Sequence, residues 1–109
     1  MSNLTPQQAL EKLQWRYAVK SFDSNKQIPD DAWHTLEQSL LLAPSSFGLQ
    51  PWKFLIVDDK NLRGQLRDAS WNQSQVVDAD RYVVFTALRT TTDEDVDRLM
   101  ERTSEVRDT

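Results

Sequence analysis

Ala43 to Val57 reads APSSFGLQPWKFLIV, and this stretch decides the architecture. Pro44 pushes the residue before it out of helical geometry, so a helix arriving from upstream ends here. Ser45 to Pro51 carries no charge and reads as a loop, with Gly48 and Pro51 as turn formers. Trp52 to Val57 is short, aromatic and β-branched, the pattern of a largely buried strand. Helix, uncharged loop and strand in direct succession make a mixed chain, expected to be of the α+β class.

Working back from Pro44, Trp33, Leu36, Leu40 and Ala43 share one face of a helix. That helix begins at Pro29, with Asp30 and Asp31 beside its positive dipole end. Ser21 to Ile28 is polar and turn-like apart from Phe22. Further back, Thr5-Pro6-Gln7-Gln8 opens a first helix. Thr5 caps it, Pro6 suits the first helical position, and Gln8 completes a capping box. Leu10, Leu13 and Tyr17 follow at helical spacing, which predicts about three turns.

Working forward, Asp58 to Ala69 predicts a turn and a short helix carrying Leu62 and Leu66. Ser70 to Ala79 is polar and irregular, with room for one helical turn. Tyr82 to Leu88 (YVVFTAL) is a second strand, nearly continuous in its apolar character and so expected to need cover on both faces. Thr92 caps a last helix, with Asp93, Glu94 and Asp95 in its first turn and Arg102 and Arg107 toward its end. Val96, Leu99, Met100, Thr103 and Val106 form its stripe. Two strands alone make a poor sheet. The expectation is therefore an extensive dimer or the first part of a larger domain.

The 109 residues are 39% hydrophobic and 28% charged, a folding composition for one domain. Such a chain is expected to bury roughly 60–70% of its unfolded surface. Thirteen Lys and Arg against 17 Asp and Glu give a net charge of −4, the opposite of a nucleic-acid-binding balance. With no Cys, disulfides, thiol nucleophiles and thiolate metal sites are excluded. No apolar run approaches the roughly 20 residues of a membrane span. Met1 to Gln8 lacks a signal-peptide pattern, so a cytoplasmic protein is expected.

Conventional catalytic groups are scarce. Gly48 and Gly64 are the only glycines, too few for a Gly-rich phosphate loop. Asp30/Asp31 and Asp58/Asp59 fit helix starts and turns, and His34, the only His, lies off its apolar stripe. Ser45 and Ser46 lack the context of a nucleophile elbow. Neither a catalytic side chain nor a metal site is expected.

Three segments remain. Arg16-Tyr17-Ala18-Val19-Lys20-Ser21-Phe22 sets two cations four residues apart at a helix end. Ala43 to Trp52 carries Pro44, Ser45, Ser46 and Gln50. Asn72 lies six residues before Asp78. Taken singly, the cations also read as complements of a helix C-terminus, the serines as turn residues and Asn72 as an Asx-turn.

In this order and spacing, RYAVKSFD, APSSFGLQPWKFLIV and Asn72 resemble the flavin-dependent nitroreductase family, over about Leu13 to about Leu88. The resemblance implies a nitroreductase-like FMN-binding fold with helices packed around part of a central sheet. Residues 1–109 would form its N-terminal part, with the remaining strands and further basic residues expected beyond Thr109. It implies a homodimer with FMN at the subunit interface, taking hydride from NADH or NADPH and passing it to nitroaromatics, quinones or similar acceptors.

On this likeness Arg16 reaches the FMN phosphate, which a planar guanidinium can hold through two hydrogen bonds. Lys20 lies near the pyrimidine side of the ring, and Tyr17 and Ala18 share that cofactor-lining segment. A lysine about 4 Å from negative charge there is worth about 4 kcal/mol at an effective dielectric of 20, which raises the reduction potential. Asn72 hydrogen-bonds the same pyrimidine edge. Pro44, Ser45 and Ser46 line the cofactor from the other subunit, while Gln50 and Trp52 shape the loop and anchor it to the strand. Ala18 stands where many relatives carry Ser, Gly48 where Asn is common, and Gln75 where some have a second Lys. The competing expectation is a non-catalytic relative acting as a dimerisation or interaction module, which would be colourless when purified.

Overall fold

Helix α1 (Pro6–Trp15) starts as its capping chemistry dictates. Thr5 Oγ1 accepts the Gln8 N–H at 3.2 Å, and the Gln8 carboxamide oxygen accepts the Thr5 N–H at 2.9 Å. Its ten residues make the expected three turns or so, but it stops before Tyr17, because Arg16 turns to extended backbone at φ −60° and ψ 136°. The apolar spacing of Leu10, Leu13 and Tyr17 meets no partner, and all three are exposed. A helix this short draws its stability from packing rather than propensity, so nothing extends it.

These features belong to a computed structural model that describes residues 3–108. Helix α2 (Asp30–Leu42) ends where Pro44 requires, with Ala43 extended at φ −61° and ψ 133°. A 3-10 turn (Ser46–Gly48) leads to β1 (Trp52–Ile56). Helix α3 (Lys60–Ala69) is capped by Asp59, whose carboxylate accepts the Leu62 N–H at 2.8 Å. The one-turn helix α4 (Gln75–Asp78), β2 (Val83–Ala87) and α5 (Asp93–Arg107) complete the chain.

The two strands pair antiparallel, in a register that runs from Trp52 opposite Ala87 to Ile56 opposite Val83. Phe54 faces Phe85 edge-on, with centroids 5.0 Å apart and ring planes at 73°. The expectation of buried strands is corrected: Leu55, Ile56 and Phe85 are exposed. Two strands form a single thin layer, and the described helices do not cover both of its faces.

Burial concentrates instead in the α3–α4 hairpin. Val76 and Arg63, 5% and 7% exposed, are the two buried residues among those described. The stripes of α2 and α5 are half-buried or exposed, including Leu36, Val96, Met100 and Val106. The radius of gyration is 18.0 Å, against about 13 Å for a closed domain of this length. The accessible surface is 9767 Å², whereas a closed globule of this mass exposes about 6,200 Å². The expected 60–70% burial is therefore not reached within residues 3–108, because the apolar stripes face no partner there. Among the described residues, no helix is long and apolar enough to cross a membrane.

Candidate functional site

The loop after α2 is built by its own polar groups. Ser45 Oγ accepts the Gln50 N–H at 2.8 Å, and Ser45 O accepts the Gly48 N–H at 3.0 Å. Gln50 Nε2 donates to Leu41 O at 2.9 Å, which satisfies an orphan carbonyl in the last turn of α2. Gln50 thus ties the loop back to the helix, while its N–H closes the loop on Ser45. Pro44 and Ser46 are exposed on the same loop, and Trp52 starts β1, with its ring 6.4 Å from that of Phe54. Gly48 has φ +71°, a left-handed conformation that glycine and asparagine adopt most readily. That conformation suits Gly to this place in the loop.

Arg16, Tyr17, Ala18 and Lys20 lie on one exposed segment between α1 and α2. It is not helical, so the two cations do not share a helix face. An extended chain lets their Cα atoms lie as much as about 13 Å apart. Among the described residues, neither Arg16 nor Lys20 has an ion-pair partner. The segment is joined to the rest of the chain downstream, where Asp80 Oδ2 accepts the Ile28 N–H at 2.8 Å.

Asn72 sits in the turn that closes α3. Its N–H donates to Arg67 O at 3.0 Å, the long bond of a Schellman motif, with Trp71 in the left-handed position that glycine usually takes. The Asx-turn reading fails: it is the backbone of Asn72 that makes the turn. Among the described residues its carboxamide has no hydrogen-bond partner. Gln75, where a second cation was conceivable, spends its amide on Gln73 Oε1 at 2.8 Å.

Backbone strain falls on these same two loops. Phe47 (φ 55°), Gln50 (φ 44°), Trp71 (φ 54°) and Asn72 (φ 55°) are four of the five non-glycine residues with positive φ among those described. Strained conformations of this kind concentrate at ligand sites and switch regions.

Among the described residues, the two grooves beside the loop hold only part of the candidate set. An open apolar groove between α2 and β1 is lined by Leu41, Gln50 and Trp52. A second, near α5, includes Gly48, Gln50, Trp52 and Arg98. Neither includes Arg16, Lys20 or Asn72. Among the described residues, no cluster of three or more His, Asp or Glu comes together as a metal site.

Two residues that shape this region escaped the reading of the sequence. Arg63 is buried and donates to three main-chain carbonyls: Val76 O at 2.9 Å, Asp80 O at 3.4 Å, and Ala79 O. Arg81 lies 5.1 Å over the Trp33 ring and pairs with Asp80 at 3.6 Å. The sequence carries only a weak signal for Arg63: it flanks the Leu62–Leu66 stripe, while its acceptors lie 13 to 17 residues downstream.

Comparison with known proteins extends the resemblance beyond Leu88 into α5. The profile of the Nitroreductase family matches residues 13–104. A Staphylococcus aureus (strain USA300) protein provisionally named as an NAD(P)H nitroreductase is 36% identical over 93 residues, covering 84% of this chain and 41% of that protein. A provisionally assigned nitroreductase from Exiguobacterium sibiricum, solved in complex with FMN, superposes with a TM-score of 0.67 at 26% identity, over 91% of this chain and 50% of that one. A nitroreductase-like protein from Streptococcus mutans superposes with a TM-score of 0.66 at 27% identity, over 74% of this chain and 40% of that one. The chain thus spans about two fifths of the length of its curated relatives and has the fold of that part of the FMN-binding structures. On sequence and fold together, it belongs to the Nitroreductase family.

Proposed function

We propose that this chain supplies part of the FMN site of an NAD(P)H-dependent oxidoreductase. The observation that carries the reading is that Arg16, Lys20 and Asn72 leave their polar groups without partners among the described residues, while the turn around Asn72 is held in strained geometry. The donor set fits this cofactor. A guanidinium suits a phosphate, and an ammonium suits an electron-rich pyrimidine ring. A carboxamide both donates and accepts, as an imide edge requires. Four residues of non-helical chain from Arg16 to Lys20 allow the two cations a separation of up to about 13 Å, which suits a ligand with its phosphate and its ring at opposite ends of a sugar-alcohol chain.

FMN, when bound, supplies hydride transfer between a nicotinamide and an acceptor such as a nitroaromatic or a quinone. The side chains of this chain do the holding. Arg16 anchors the phosphate, Lys20 favours negative charge at the pyrimidine end, and Asn72 fixes the orientation of the ring. Tyr17 and Ala18 keep that segment against the ligand. Pro44, Ser45 and Ser46 approach from a second copy, with Gln50 and Trp52 maintaining their loop. An excess of several thousand Å² of exposed surface over a closed globule supports a homodimer as the working unit. The cytoplasm, where reduced nicotinamides are available, is the proposed location.

The test is an absorption titration of the purified protein with FMN, followed by NADH or NADPH. Binding with bleaching of the flavin band supports the reading. Arg16→Ala and Lys20→Ala should each weaken FMN binding by about 1–3 kcal/mol. Undiminished FMN affinity in both variants would rule out the phosphate and pyrimidine contacts assigned to Arg16 and Lys20, and a colourless, self-associating protein would favour the interaction module.

A further inference from the structure

We propose that Arg63 is a positioning residue for Asn72: its buried guanidinium holds the α3–α4 hairpin in the arrangement that leaves the Asn72 carboxamide exposed and without a partner. This rests on the reading of Asn72 as a contact for FMN.

The turn from Ser70 to Ser74 contains two successive left-handed residues, Trp71 and Asn72, neither of them glycine. Such a conformation is unfavourable for a residue bearing Cβ and persists only where its surroundings over-determine it. On the upstream side the determinant is α3 itself, whose Arg67 carbonyl accepts from both Ser70 and Asn72, each at 3.0 Å. On the downstream side α4 has only four residues, with an acid at its end and no side-chain cap at its start. A helix so short cannot hold itself in place. Arg63 does it from α3, through Val76 O, Ala79 O and Asp80 O.

The strained turn and the short helix that follows it are therefore bonded to one helix, at Arg67 and Arg63, four residues apart on it. Serving three carbonyls from Nε, Nη1 and Nη2 at once needs the fork of donors that a guanidinium presents. The same pin reaches further, because Asp80 also accepts the Ile28 N–H, downstream of Lys20. Loss of Arg63 frees α4 and lets the turn relax, which moves Asn72 without touching it.

The test is a double-mutant cycle on FMN dissociation constants, using wild type, Arg63→Gln, Asn72→Ala and the double variant. Arg63→Gln should weaken FMN binding about tenfold in the wild-type background. The same change should weaken it less than about twofold once Asn72 is already Ala. Arg63→Lys, which keeps the charge but loses the fork, should fall between wild type and Arg63→Gln. Should Arg63→Gln fail to fold, the cycle is run with Arg63→Lys under the same criterion. Amide exchange at Asn72 and Gln73 in FMN-free Arg63→Lys should then be faster than in wild type. Equal penalties in both backgrounds, or unchanged exchange, would overturn the positioning role while leaving the flavin reading intact. A wild-type protein that does not bind FMN would overturn the flavin reading itself, and this proposal with it.

Discussion

The α3–α4 hairpin and the limb formed by residues 3–27 are built on opposite principles. In the hairpin, Arg63 and Val76 are buried and the guanidinium ties α3 to α4 and to the segment that leads into β2. In the limb, every residue but Ala9 is exposed, and its hydrogen bonds are local: the Thr5 capping box, helical bonds and the Asp23 turn. Local capping is sufficient to form a helix, but it cannot place that helix against anything. The limb carries the two candidate ligand cations and the hairpin carries the candidate ligand amide. One is thus presented on an exposed, locally bonded limb and the other on a turn tied to a buried side chain. Exposed side chains that touch little else make substitutions in the limb matter for affinity rather than for stability.

The strongest way to break this contrast is to remove the pin. Arg63→Met leaves three carbonyls without their donor in a buried place, and should destabilise the chain by about 3 kcal/mol. Leu13→Ala, in the exposed stripe of the limb, should change stability by less than about 0.5 kcal/mol. Urea unfolding midpoints of the two variants decide it. Comparable losses would mean that the limb packs against the rest of the chain in solution.

The contrast also explains what the sequence could and could not reveal. Elements formed by local rules were legible: the Thr5 and Thr92 caps, the stop before Pro44, the Asp59 turn and both strands. These depend on neighbours within four residues, and the chemistry is written there. Burial was not legible, because stripes such as Leu36–Leu40 or Val96–Met100 specify a face without specifying that a partner lies within the same residues. Arg63 was missed for a related reason. Its acceptors are 13 to 17 residues away, and an arginine on a polar helix reads as solvated until those carbonyls are placed. Of the site, the resemblance supplied the residues. The structure contributed the left-handed backbone at Phe47, Gln50, Trp71 and Asn72, which no single-sequence pattern discloses.

A smaller effect sharpens the comparison from the hairpin side. Trp71 occupies a left-handed position with its side chain almost wholly exposed, so it gains little from packing in return for its strain. Trp71→Gly removes the Cβ conflict and should stabilise the chain by about 0.5–1 kcal/mol after the added flexibility of the unfolded glycine is counted. That corresponds to a rise of roughly 2–6 °C in the unfolding midpoint. The matching change in the limb, Ala18→Gly, relieves no strain and should give no gain. A stabilised Ala18→Gly, or a Trp71→Gly that loses stability, would show that Trp71 is held by contacts beyond this turn.

The smallest effect uses pH to separate bonds that titrate from bonds that do not. At the start of α5, the Asp95 carboxylate accepts the Thr92 N–H at 2.8 Å and the Thr92 hydroxyl at 2.9 Å. These bonds, the backbone one foremost, hold its pKa below the usual carboxylate value, against an opposing effect of desolvation and with a lesser contribution from Arg98. A depressed folded value means that the unfolded chain binds the proton more readily. The contribution of this cap is therefore complete above the unfolded value of about 3.9, and is lost as pH falls through the lower folded value. Arg63 holds its hairpin through main-chain carbonyls, which do not titrate. Acidification from about pH 5 to about pH 2 should therefore speed amide exchange at Asp95 and Val96 before it does so at Val76 to Ala79, once intrinsic rates are corrected. Asp95→Asn keeps an acceptor for Thr92 without a titrating proton, so the early loosening of α5 should disappear in that variant. If it persists, the acid sensitivity of α5 arises elsewhere in its first turn. If hairpin and helix loosen together, the two regions share one cooperative unit despite their unlike construction.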